Sequence, residues 1–356
     1  MMLSDYTEYY ELLSENGNLE EMQSVIDQAG AGMFRFESFL MDVLSGEINL
    51  DLETVLDFLG NVAFSGIHTG SAGIARIVAI ALIAAIFSNF SFSFRDSNVA
   101  DTAFYVCYVI LYGILVSSFY AAYEITVDAV QHVTEFMKVV APSYCIAIVL
   151  GSGTVSSVYW YQTIVIVIAI AENLILKVIL PLVGVYMTVC LAGNISGENV
   201  LSKLCEIIEL IVGWCLKGMV TILVGFSRIK GMLAPAIDRL KRTSLMKSAE
   251  SIPGIGTVFS GVNEMLMGIG VLLKEAFGTG CMIAIFVIGA IPLVRLAVYS
   301  VVYKAEAALI QPVSDKRIVS CLNAAATASG MLMKTVFTAS ALFIIAIAVV
   351  VYTGID

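Results

Sequence analysis

The chain has 356 residues, 59% of them hydrophobic and only 13% charged, with a formal net charge of −10. Together with a mean hydropathy of +0.92, this excludes an ordinary soluble globular protein and predicts an all-α, polytopic helical membrane protein. It also argues against nucleic-acid binding, because no basic surface large enough to follow a phosphate backbone is visible outside one loop.

The acidity is local. Residues 1–70 hold thirteen acids, from Asp5 to Asp57, against the single base Arg35, whereas the rest of the chain carries eighteen basic and sixteen acidic residues. Residues 1–66 therefore read as an acidic, soluble, helical N-terminal region. Met22, Val25, Ile26, Ala29, Met33, Phe36, Leu40 and Leu44 recur at helical spacing and predict one apolar face. That face suits a small helical cap on the membrane domain better than a partner-docking module. "GEINLDLETVLDFL" predicts a turn, an N-cap at Asn49 or Asp51 and a second short helix. Met1 leads straight into "LSDYTEYYELL", so no signal peptide is expected.

About 20 largely apolar residues make one helical crossing. Segments at 71–90 and 102–122, joined by "SFSFRDSNVAD", predict a transmembrane hairpin over 67–123. An acidic connector around Glu124, Asp128 and Glu135 follows, then a long apolar region from Val139 to Ala192 and a further segment at 206–226. Residues 227–250 interrupt the series. There Arg228, Lys230, Arg239, Lys241, Arg242 and Lys247 stand opposite Ile229, Met232, Leu233, Ala236, Ile237, Leu240 and Ser244. This pattern predicts a basic amphipathic cytoplasmic loop lying on an anionic leaflet. Apolar segments at 254–273, 279–303 and 331–352 complete the chain.

An internal repeat relates 134–226 to 251–352. Pro142 and Pro181 are separated as Pro253 and Pro292 are; "LPLVGVY" (180–186) parallels "IPLVRLAVY" (291–299), "SGENVLSKL" (196–204) parallels "SDKRIVSCL" (314–322), and "LKGMVT" (216–221) parallels "MKTVFT" (333–338). Three spans per copy would invert one copy relative to the other; two spans would leave them parallel. Cytoplasmic loops are enriched in Lys and Arg. The three-span arrangement collects Arg95, the six bases of 228–247, Lys304, Lys316 and Arg317 on one side, against Arg35, Lys138, Lys203 and Lys274 on the other. The expectation is about eight membrane segments (six to eight), two inverted repeats, and a non-cytoplasmic N-terminal region.

Catalytic signals are missing. His68 and His132 are isolated, so no metal site is expected. The seven cysteines show no C-x-x-C, lie mostly in apolar runs and read as small buried hydrophobes. "GSGTVSS" (151–157) has serines but no supporting base. The glycines of "SIPGIGTVFSGVNEMLMGIG" (251–270) are followed by no Lys-Ser/Thr, so they are not a phosphate cradle. No enzymatic activity and no cofactor are expected. Ionisable and amide groups within apolar runs are the better signal, since charge at membrane depth is costly. Glu172, Asn173, Glu209, Lys217, Glu264 and Arg295 are the candidate intramembrane polar or pathway residues. Lys177, Lys304 and Lys334 suit snorkelling near helix ends. Pro142, Pro181, Pro253, Gly254, Gly256 and Pro292 are candidate hinge or packing residues that permit bending or close approach.

"SIPGIGTVFSGVNEML" and "AIPLVRLAVYSVVYKAEAALIQPVSDKRIVSCLNAAA" resemble the stage III sporulation protein AE family of endospore-forming Firmicutes. The most specific part is "YKAEAALIQPVSDKRIVSCLN" (303–323), which combines Lys304, Gln311-Pro312, Asp315, Arg317 and Cys321-Leu322. The resemblance runs from about residue 46 to the end and is strongest over 251–345. It implies a multi-pass protein of the mother-cell membrane around the forespore, part of a channel or secretion-like complex linking the two cells and required for forespore development. Other subunits of that complex, membrane lipids, a cytoplasmic ATPase and further copies of the chain are the implied partners. A transport role is the leading expectation, and a non-conducting scaffold for ring-forming and motor partners is the alternative. The family often begins with a cleavable signal sequence, and this chain departs from that pattern. The resemblance transfers no catalytic residues.

Overall fold

Long apolar runs leave the backbone polar groups no partner but one another, which within a bilayer selects helices. The computed structural model describes residues 18–32, 34–45, 98–152, 166–195, 201–249, 256–312 and 316–352, and among them there is no strand. The helices are α1 (Leu19–Gln28), α2 (Phe36–Ser45), α3 (Asn98–Ser152), α4 (166–195), α5 (Ser202–Ala249), α6 (Gly256–Ile310) and α7 (Lys316–Tyr352). Within α4, Ile175–Ile179 form a π-helical turn followed by Leu180–Ile195.

Among the described residues five helices are long and apolar enough to cross a membrane, over Tyr108–Tyr144, Ile166–Asn194, Ser202–Gly225, Lys274–Ile310 and Lys316–Val349. The expected crossing at 71–90 lies outside the described residues. The segments 254–273 and 279–303, read as separate crossings, belong to the single helix α6. Likewise α3 runs unbroken from 102–122 through Glu124, Asp128 and Glu135, which sit on its exposed face.

Side-chain contacts fix the helix directions. At one end of the bundle Tyr108 of α3 donates to the Leu191 carbonyl of α4 at 2.6 Å, and Ser320 of α7 donates to the Asn194 carboxamide oxygen of α4 at 3.1 Å. At the other end Tyr144 of α3 stacks on Phe277 of α6, centroids 6.1 Å apart. The connectors 196–200 and 311–315 therefore lie at the same end, and the hairpins α4–α5 and α6–α7 run in the same direction. The inverted arrangement expected from the charge distribution is not what forms. The physical reason is the proline assignment: Pro142 and Pro292 lie inside continuous helices. A membrane helix tolerates proline when neighbouring groups re-satisfy the freed carbonyl, so each proline break that was read as a reversal removes one crossing.

The N-terminal helices close the end opposite the connectors. Gly30, at φ 78, ends α1 in the left-handed conformation. Gln23 fixes the turn to α2: its amide donates to the Phe34 carbonyl at 3.1 Å, and its oxygen accepts the Phe36 N–H at 3.0 Å. Phe36 then packs edge-on against Phe136 of α3 and Phe277 of α6, at 6.5 and 5.4 Å between centroids. Met22, Val25, Ile26 and Leu40 are buried in the same core as Phe343 and Ile347 of α7. Helix α5 starts at the connector end and continues without a break beyond residue 225, so the basic stretch leaves the bundle at the head's end. The acidic head and the start of that stretch are thus not separated by the bilayer, contrary to the charge-based expectation.

Candidate functional site at the connector end

The residues that carry the family resemblance converge where α6 turns into α7. The Gln311 N–H closes the last turn of α6 on the Ala307 carbonyl at 3.1 Å, and Pro312 prevents a further turn. Around this turn lies a buried polar cluster. Having donated to Leu191, the Tyr108 hydroxyl still has lone pairs, and the Cys321 thiol lies 2.9 Å away as its donor. The Asn194 amide donates to the Cys321 sulfur at 3.7 Å, and Ser320 returns to the Asn194 oxygen. One layer deeper, the Tyr303 hydroxyl donates to Ser118 of α3 at 2.8 Å. Four helices are cross-linked by hydrogen bonds between side chains 83 to 213 residues apart in sequence.

Beside that network sits Glu306, only 4% exposed, with both carboxylate oxygens buried and unpartnered among the described residues. Cys190 and Cys205 form a disulfide across the α4–α5 hairpin, with Cα atoms 6.1 Å apart. They are therefore not simply small core residues; the pairing is spatial and leaves no C-x-x-C signature.

The sequence-derived candidates are scattered rather than gathered. Glu172 forms an ion pair with Lys138 of α3 at 2.9 Å, with side chains 27% and 55% exposed. Asn173 is exposed and bonds back to the Ala169 carbonyl at 2.7 Å. Glu209 is exposed on α5 but within electrostatic reach of Tyr186, which is hydrogen-bonded to Thr327. Lys217 is exposed one turn from Trp214. Arg295 is half-buried, its Nε without a partner among the described residues. Gly256 begins α6, and Glu264 lies on α6 where only the backbone is described. Pro181 follows the π turn, while Pro253, Gly254 and Asp315 lie outside the described residues. Of the motif residues, Lys304, Gln311 and Pro312 are exposed and Arg317 is half-buried.

Sequence reasoning missed Tyr108, Ser118, Asn194, Glu306 and Ser320. A signal existed for Glu306, which is three residues from Tyr303 and four from Ile310, both buried on one face of α6.

The profile of the family described as Stage III sporulation protein AE matches residues 34–354. Stage III sporulation protein AE of Bacillus subtilis (strain 168) is 20% identical over 316 residues, covering 88% of this chain and 79% of that protein. No solved structure matches. With nearly the whole chain within the match, connector-end motif included, this protein belongs to the stage III sporulation protein AE family.

Proposed function

We propose that the protein is a non-catalytic integral subunit of a channel or secretion-like complex linking mother cell and forespore. It would lie in the mother-cell membrane around the forespore and contribute to transport needed for forespore development. The observation that carries this reading is the set of ionisable side chains left exposed within spanning helices, Glu209 and Lys217 on α5 and Lys177 on α4. Charges at such positions are stable when they face a water-filled path or a partner rather than acyl chains. The test is to neutralise Glu209 and Lys217 as Gln variants and measure solute passage into the forespore alongside co-purification of the complex. Assembly retained with passage lost supports transport, whereas unimpaired passage overturns it.

A scaffold reading is favoured by a different observation. The spans of α3 and α6 are each 37 residues, about 55 Å of helix against roughly 30 Å of hydrocarbon. The excess length projects from the bilayer and offers surfaces to ring-forming subunits, a cytoplasmic ATPase or further copies of the chain. Loss of co-purification on truncating those projections, with passage failing only as a consequence, would select it.

A further inference from the structure

We propose that Glu306 forms a binding site for a small monovalent cation, a proton or an alkali-metal ion, in the wall of the bundle beside the Ser118–Tyr303 hydrogen bond. This goes beyond the transport and scaffold readings, since it concerns a buried group that neither uses.

The geometry carries the argument. Glu306 lies four residues before the end of α6 and is 4% exposed, and both its oxygens are sealed from solvent without a hydrogen-bond donor among the described residues. Its neighbours along the helix, Tyr303, Ala307 and Ile310, belong to the apolar core of the connector end. An ionised carboxylate held there with no counter-charge is among the least favourable arrangements a fold can contain.

The surrounding elements do not supply that counter-charge. On α6 itself Lys304 is exposed, two residues away and on another face. On α7, Lys316 is exposed, and Arg317 lies within electrostatic reach of Tyr108. On α3 the nearby groups are Ser118, engaged by Tyr303, and Tyr108, engaged by Leu191 and Cys321. Tyr303 is the titratable group within electrostatic reach of Glu306, and it is uncharged. The ion pairs among the described residues lie elsewhere. A small cation that enters with little or no hydration meets the need. The carboxylate supplies its charge, and the Tyr303 and Ser118 oxygens offer further lone pairs.

The intact protein in membranes is treated with N,N′-dicyclohexylcarbodiimide, an apolar reagent that adds to carboxyl groups carrying a proton, and the modified residue is identified by peptide mass. The expected result is modification at Glu306 that competes with the cation. If the ligand is a proton, labelling falls roughly tenfold per pH unit once the site empties, as a single titrating group requires, and sodium has no effect. If it is an alkali-metal ion, sodium protects at constant pH. Glu306→Gln, which keeps the shape, should fold, lose the label and lose the dependence of thermal unfolding on that cation. The proposal is overturned if Glu306 stays unlabelled at every pH, which would indicate an ion pair with a basic side chain of the chain. It is equally overturned if labelling ignores both pH and sodium, or if Glu306→Gln unfolds with the same cation dependence as the native protein. These readouts are independent of solute passage, so failure of the transport reading leaves them intact.

Discussion

The closest approach between α6 and α7 is made at Gly289, and a double substitution can measure it. A Cβ at Gly289 would collide with the Ser340 hydroxyl oxygen and lie 3.2 Å from the Ser340 Cβ. Gly289→Ala forces that overlap, and overpacking of this kind costs about 1–3 kcal/mol. Alanine returns about 1 kcal/mol of helix preference over glycine, so the single variant should lose about 1 kcal/mol. Ser340→Gly removes a buried hydroxyl that has no partner among the described residues, and on its own should also lose about 1 kcal/mol through helix preference. Combined, the two exchange the small residue between helices: the overlap vanishes and the helix terms cancel. The double variant should therefore return close to the native stability, a coupling of about 2 kcal/mol against the sum of the singles. Reversible thermal or denaturant unfolding of the purified protein in detergent reads this directly. Additivity to within about 0.5 kcal/mol would show that the helices do not meet here.

Other outcomes follow from features at the two ends. Tyr108→Phe should destabilise by about 1 kcal/mol, the usual net worth of a hydrogen bond, and should make the Cys321 thiol more reactive to maleimide. An unchanged Cys321 would separate it from Tyr108. For the part-exposed pair Lys138–Glu172, either single neutralisation should cost about 0.2–1 kcal/mol, and the exchange Lys138→Glu with Glu172→Lys should recover most of it. Cys190 and Cys205 should resist alkylation in the denatured, unreduced protein and react after reduction; reaction without reductant refutes the disulfide. Single cysteines at Lys203 and Gln311 should label from one face of the membrane, that opposite the head. The disulfide and the basic stretch of α5 agree in making it the oxidising, non-cytoplasmic face. Labelling from opposite faces would restore the inverted arrangement.

The helices were legible because their cause is local. Apolar runs with few interruptions force helical hydrogen bonding, and the spacing of Met22, Val25, Ile26, Phe36 and Leu40 marked the side chains that are buried in the head-end core. Direction was not legible. Proline and charge were read as markers of reversal, yet Pro142 and Pro292 are carried within helices, and Glu124, Asp128 and Glu135 ride the exposed face of α3. Whether a proline breaks a helix depends on what neighbouring helices offer its orphaned carbonyl, which a single chain's composition does not encode. The connector-end cluster was hidden for a related reason. Tyr108, Asn194 and Cys321 are unremarkable in their own segments, and only the packing of three helices brings them together. Glu306 was masked by its neighbour Lys304, which made the pair resemble solvent-facing charge.

The π turn of α4 sets the phase between the two ends of the protein. Below it, Ile168, Ala171 and Ile175 face inward; above it, Ile179, Val183, Met187 and Leu191 do so at steps of four. In a regular α-helix that spacing would advance the buried face by about 40° at each step, because 3.6 residues make a turn. The wider turn at Ile175–Ile179 absorbs part of the drift. Helix α4 thereby holds Glu172 against Lys138 and Asn194 against Cys321 at once. Deleting one residue within 175–179 would restore a plain helix and rotate everything above it by about 100°, carrying Cys190 and Asn194 away from their partners. Five residues thus act as a fixed gear between head and connector, and a change of one residue there would be felt as a twist rather than a gap.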